Sequence, residues 1–121
     1  MLGPMDEAPP FQIRIPLGGD ARFGPGTATL LARIRETGSV SAAAAAMGMS
    51  YRRARDLVAG ANRAFRAPLV ELARSEAGGS GARLTKEGEA VLASYRALES
   101  LVEREGARFV AAIRDRAAPE S

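Results

Sequence analysis

The stretch Ser39-Val40-Ser41-Ala42-Ala43-Ala44-Ala45-Ala46-Met47-Gly48-Met49-Ser50-Tyr51-Arg52-Arg53-Ala54-Arg55-Asp56-Leu57-Val58 decides the fold. It spells two short helices joined by a tight turn, a helix-turn-helix over about 41 to 66. Ser41 is placed to N-cap the first helix, Gly48 can take the positive φ that ends it, and Ser50 can cap the second. Ala44 has almost no side chain and lets the helices approach closely. Ala54, Leu57 and Val58 make the apolar face that turns back on the first helix, which leaves Arg52, Arg53 and Arg55 for the remaining surface. A helix that buries one face and presents guanidinium groups near its N-terminus has the shape and charge that a DNA major groove accepts.

Working upstream, Phe11, Ile13, Ile15 and Leu17 alternate with Gln12, Arg14 and Pro16, the period-two pattern of a half-buried strand ended by Gly18-Gly19. Pro16 lacks an amide hydrogen, which puts that strand at a sheet edge or at its own end. Gly24-Pro25-Gly26 is a turn, after which Thr27 caps a helix with an inward face of Leu30, Leu31 and Ile34, closed by Gly38. Residues 1–10, rich in proline and acid, read as a flexible tail, as do residues 117–121.

Downstream, Leu57, Val58, Ala61 and Phe65 repeat at helical spacing until Pro68 forbids further helix. Residues 69–74 and 82–84 then flank the glycine-rich Glu76-Ala77-Gly78-Gly79-Ser80-Gly81, a β-hairpin that would serve as a wing. The strand at 11–17 is suited to join it as a third strand. Arg74, Ser80 and Arg83 would flank a duplex there; the alternative is a surface loop without a partner. Thr85 caps a long last helix over 86–116, with Glu87 and Glu89 in the first turn favoured by the helix dipole. Val91, Tyr95, Leu98, Val102, Phe109 and Ile113 form its apolar stripe. A helix of about 30 residues extends about 45 Å at 1.5 Å per residue, longer than a small three-helix core covers. Its distal half calls for a partner, most economically a second copy packing antiparallel in a symmetric dimer, the alternative being a return onto its own domain.

Composition bounds the function. The 121 residues suit one domain over 11–85 with the long helix appended, mainly α with a small β-sheet. The net charge is +3 and the pI about 10.2, carried by arginine, since Lys86 is the one lysine. Arginine donates in a planar fork that suits guanine edges and phosphates, although coding bias accounts for the global enrichment equally well. The local clustering is the stronger sign. Between 50 and 66 stand five arginines and one acid. The absence of cysteine and histidine excludes disulfides, a thiol nucleophile, a Ser-His pair and an ordinary zinc site. No cofactor is expected, and no enzyme, because no nucleophile and base stand at a recognisable spacing. No apolar run reaches membrane-spanning length and the start lacks a secretory pattern, so a cytoplasmic protein is expected.

The combination of Gly38-Ser39-Val40-Ser41-Ala42-Ala43-Ala44, Met49-Ser50-Tyr51-Arg52-Arg53-Ala54, Asn62-Arg63-Ala64-Phe65, Pro68-Leu69-Val70, Gly78-Gly79-Ser80-Gly81-Ala82-Arg83-Leu84-Thr85 and Gly88 resembles the N-terminal winged-helix domain of ModE-type molybdate-responsive transcriptional regulators, over about 11 to 100. LysR-type DNA-binding domains share the Ser-x-x-Ala-Ala and Leu-Thr elements but lack the leading strand and the Met-Ser-Tyr opening. The resemblance implies a dimeric regulator on palindromic operators, with Ser50, Tyr51, Arg52 and Arg53 opening the recognition helix and the wing on the backbone. Full-length ModE proteins carry molybdate-binding modules after this domain. This sequence shows none by residue 121, so a separate sensor protein for molybdate or another signal is the expectation.

On physical grounds Ser41 and Ser50 set helix N-termini at phosphates. Tyr51 with Arg52 or Arg53 reaches base edges, while Arg55, Arg63, Arg74 and Arg83 meet phosphates or solvent. Positions 52, 55 and 56 share a helix face and 53 points away by about 100°, so the early arginines cannot all read bases. The competing reading is a winged-helix module that pairs with another protein through its long helix or wing and touches no DNA.

Overall fold

A computed structural model describes residues 11–74 and 80–119, with the side chains of Arg74 and Ser80 outside that description. Its elements run β1 (Ile15–Gly18), β2 (Ala21–Phe23), α1 (Pro25–Thr37), α2 (Val40–Met47), α3 (Tyr51–Ala64), β3 (Val70–Arg74), β4 (Ser80–Leu84) and α4 (Lys86–Asp115). The result is the expected α+β arrangement: a helix-turn-helix, a hairpin after it, and a long C-terminal helix.

The helix boundaries follow from local chemistry, with two corrections. Gly24 is the N-cap of α1 and Pro25 occupies the first turn, where its missing amide hydrogen costs nothing; Thr27 lies inside the helix rather than capping it. Ser39, not Ser41, caps α2, its hydroxyl accepting from the Ala42 amide at 2.8 Å. Gly38 takes φ 76° to end α1, and the chain needs only Ser39 in extended conformation before the next helix begins. Ser41 is thereby left inside the first turn of α2, exposed. Gly48 (φ 68°) and Ser50, which accepts from the Arg53 amide at 3.1 Å, act as expected at the α2–α3 turn. Helix α3 stops at Ala64, with Phe65 already extended. Thr85 caps α4 through the Gly88 amide at 3.0 Å.

The N-terminal strand does not join the wing. The Gly18-Gly19 turn, with both residues at positive φ, folds β1 straight back onto β2 as a separate antiparallel hairpin, Ile15 opposite Phe23 and Pro16 opposite Arg22. The β3–β4 hairpin pairs from Val70–Leu84 out to Arg74–Ser80. Where a third strand would lie beside β4, the chain leaving α1 stands instead: the Ala82 amide donates to the Gly38 carbonyl at 2.8 Å. The remainder of the glycine-rich loop and the first ten residues lie outside the described residues.

One core unites these pieces. Leu30, Leu31 and Ile34 of α1 are fully buried together with Ala43, Ala54, Leu69 and Leu92. Phe23 of β2 is its aromatic centre, with edge-on contacts to Phe65 at 6.1 Å and Tyr95 at 5.0 Å between ring centroids. The Tyr95 hydroxyl donates to the Ile13 carbonyl at 2.7 Å, tying the N-terminal segment to α4. Buried aromatic pairs of this geometry add about 0.5–1.5 kcal/mol beyond area burial. In the sequence, β2 and Phe23 are marked only by the short alternation of Ala21-Arg22-Phe23 after a Gly-Gly-Asp turn.

Candidate nucleic-acid interface

Helix α3 packs by Ala54 and Val58, both buried, with Leu57 half-buried beside them. The i, i+4 spacing of 54 and 58 fixes which side faces the core, and the opposite side of the helix faces outward. Tyr51 (49% exposed), Arg52, Arg53, Arg55, Asp56, Ala59 and Arg63 make up that outward surface. Among the described residues, none of Arg52, Arg53, Arg55 and Arg63 has a hydrogen-bond or ion-pair partner for its side chain. Four unpaired guanidinium groups on a helix about 21 Å long form a surface that attracts polyanions. Ser50, Arg52, Arg53, Asp56 and Leu57 line a shallow groove of about 310 Å³ at its N-terminal end.

Ser50 is spent on its capping bond, which orients the free amides of the first turn outward with the positive end of the helix dipole. Ser41 stands on the first turn of α2, exposed and uncommitted.

The wing is held to α3 by a residue whose role was not assigned from the sequence. Asn62 lies on the last turn of α3. Its Oδ1 accepts from the Leu69 amide at 2.8 Å and the Val70 amide at 3.1 Å, and its Nδ2 donates to the Val70 carbonyl at 3.1 Å. An amide side chain supplies both an acceptor and a donor, which is what the start of an unpaired strand edge requires. Only tertiary placement reveals this, since nothing in a lone Asn marks its partners.

On the wing, Arg83 sits opposite Glu71 and is paired with it, Nε to Oε2 at 3.0 Å, both side chains largely exposed. Such a pair is worth about 0–1 kcal/mol, so a phosphate can displace the carboxylate at little cost. Arg74 and Ser80 face each other across the far end of the hairpin, and their side chains lie outside the described residues. Leu72 of β3 is 61% exposed.

On α4 the stripe divides. Tyr95 and Leu92, the latter missing from the sequence-derived stripe, are buried in their own domain, and Val91, Leu98 and Val102 are half-buried. Leu101 (48%), next to Val102, and farther along Phe109 (58%) and Ile113 (72%) stand exposed. The half-buried part borders an apolar groove of about 340 Å³ shared with Ile15, Leu17, Phe23 and Phe65. Among the described residues, no His, Cys, Asp and Glu cluster could hold a metal ion, and no helix is long and apolar enough to cross a membrane.

No protein-family model matches the chain. Curated proteins do. The chain is 45% identical over 80 residues to the molybdenum-pterin-binding protein MopB of Rhodobacter capsulatus, covering 66% of this chain and 30% of that protein. It is 38% identical over 81 residues to MopA of the same organism (67% and 31%) and 36% identical over 80 residues to the transcriptional regulator ModE of Yersinia pestis (66% and 30%). The match thus spans about a third of the length of these relatives.

Proposed function

We propose that this chain, a homologue of the ModE and Mop proteins over about two thirds of its length, is a sequence-specific double-stranded DNA-binding module of a ModE-like transcriptional regulator, acting as a homodimer on palindromic operators. The observation that carries this reading is the outward face of α3: exposed arginines without internal partners on a helix whose opposite face is locked into the core. In this reading α3 enters the major groove, with Tyr51, Arg52 and Arg53 toward base edges. Arg55, Arg63, Arg74, Ser80 and Arg83 meet phosphates, and Ser41 and Ser50 orient amide groups toward the backbone. The winged-helix unit is residues 11–85, and residues 86–116 serve dimerisation.

The exposed Phe109 and Ile113 support the dimer, because a single copy leaves them in water; Val91, Leu98 and Val102 would continue the same surface inward. The comparison with a transcriptional regulator supports regulation rather than catalysis, and a cytoplasmic setting accords with contact to DNA. The test is selection from a random duplex pool at two salt concentrations. A two-fold symmetric motif, bound more weakly as salt rises, supports the proposal. No enrichment at low salt by folded protein overturns it in favour of a protein-binding module.

A further inference from the structure

Asp56 is the one acid in the stretch 50–66. It is exposed on the second turn of α3 and lines the groove shared with Ser50, Arg52, Arg53 and Leu57. An acid on a surface otherwise suited to polyanions costs affinity for every duplex unless it meets a specific donor. Its neighbours do not supply one. Arg52 and Arg53 stand four and three residues before it, yet neither is paired with it, nor is any other described residue. An arginine placed N-terminal to an acid at i, i+4 is also the less favourable order for an intrahelical pair.

Positions 52, 56, 59 and 63 follow the i, i+4, i+7, i+11 repeat of one helix face, and all four are exposed. Along that face Arg52 and Asp56 are separated by about 6 Å of axial rise, about two base-pair steps. In the major groove the base edge that only donates is the cytosine N4 amino group, whereas guanine presents the N7 and O6 acceptors that suit a guanidinium. Resting on the DNA-binding reading above, we infer that Asp56 is a specificity-determining residue that accepts a hydrogen bond from a cytosine N4 amino group, beside a guanine contacted by Arg52. Its carboxylate would equally reject thymine, whose O4 is an acceptor at the corresponding place.

The test is selection from a random duplex pool with the wild-type protein, Asp56→Asn and Asp56→Ala, each shown to be folded by circular dichroism. It is followed by affinity measurements on the selected site with the fixed cytosine changed to thymine. The expected wild-type motif holds two fixed G·C pairs per half-site, one presenting its guanine to Arg52 and the other its cytosine to Asp56, and changing that cytosine to thymine weakens wild-type binding about ten-fold. Both variants lose preference at that position alone and bind non-specific duplex as well as or better than wild type. Variants that select the wild-type motif unchanged, or that gain affinity equally for all sequences, overturn the role of Asp56 while leaving the regulator reading intact. A wild-type pool with no enrichment overturns both.

Discussion

Asn62 and Val70 are joined twice, the Asn62 side chain accepting from the Val70 amide and donating to the Val70 carbonyl, each at 3.1 Å. Through this pair the end of α3 and the root of the wing are held in one relative position. Asn62→Ala leaves three main-chain groups, including the Leu69 amide, without their partner. We expect a loss of about 1–3 kcal/mol in urea unfolding. Asn62→Asp is the informative companion: it keeps the acceptor and sets a carboxylate oxygen against the Val70 carbonyl, so it should not rescue.

Gly88 on the first turn of α4 passes so close to the strand root that a Cβ there would lie 2.1 Å from the Leu69 carbonyl oxygen. That oxygen already accepts from the Thr85 amide at 2.9 Å, and the Thr85 hydroxyl donates to the Pro68 carbonyl at 2.6 Å, so neither side can yield freely. Gly88→Ala should destabilise by about 1–3 kcal/mol. Gly106→Ala, on the same helix with only a 3.5 Å contact to Val102, should instead stabilise by about 0.5–1 kcal/mol. Thermal unfolding of both variants checks the contrast.

Burial, and then the nearby Glu99 carboxylate, push the Tyr95 phenol above its ordinary value, with Arg96 and Arg14 opposing more weakly. The fold thus favours the protonated phenol, which donates to Ile13. This contribution is complete below about pH 10, the unfolded value, and is lost as pH rises through the higher folded value. Tyr95→Phe should cost about 0.5–1.5 kcal/mol at neutral pH. Across pH 9–11.5 its Tm should fall less than that of the wild type.

Arg52→Ala and Arg53→Ala separate base reading from backbone contact. The one whose guanidinium meets a guanine should lose about 1–3 kcal/mol per half-site and relax one position in each half of the motif. The other should weaken all sequences alike and reduce the salt slope of the dimer by about two, one phosphate contact being lost in each half-site.

Phe109→Glu with Ile113→Glu places charge on the exposed end of α4. Sedimentation velocity should show the dimer proposed for the wild type replaced by monomer, while the helical circular dichroism of the chain is retained. An unchanged sedimentation coefficient would overturn the proposed dimer surface.

Much of this was legible because it is local chemistry. Gly38 and Gly48 at positive φ, Ser50 and Thr85 as caps, and the Leu30, Leu31, Ile34 face are properties of a few neighbouring residues, and the structure places them as the spacing implied. Structure and sequence pattern part where two local solutions compete. Ser39 and Ser41 are both competent caps, and the choice turns on how soon the chain leaves Gly38.

The amino-acid order alone carried the helix-turn-helix, the hairpin after Pro68, the arginine-rich face of α3 and the length of α4, because capping and periodicity act within one or two turns. Tertiary structure decided the rest. It paired β1 with β2 rather than with the wing, since the Gly38 carbonyl already meets β4 at Ala82. It made Phe23 an aromatic centre and gave Asn62 and Gly88 their roles at the Leu69–Val70 root. Those roles depend on contacts between segments far apart in the chain, where distance and direction exist only once the core has closed.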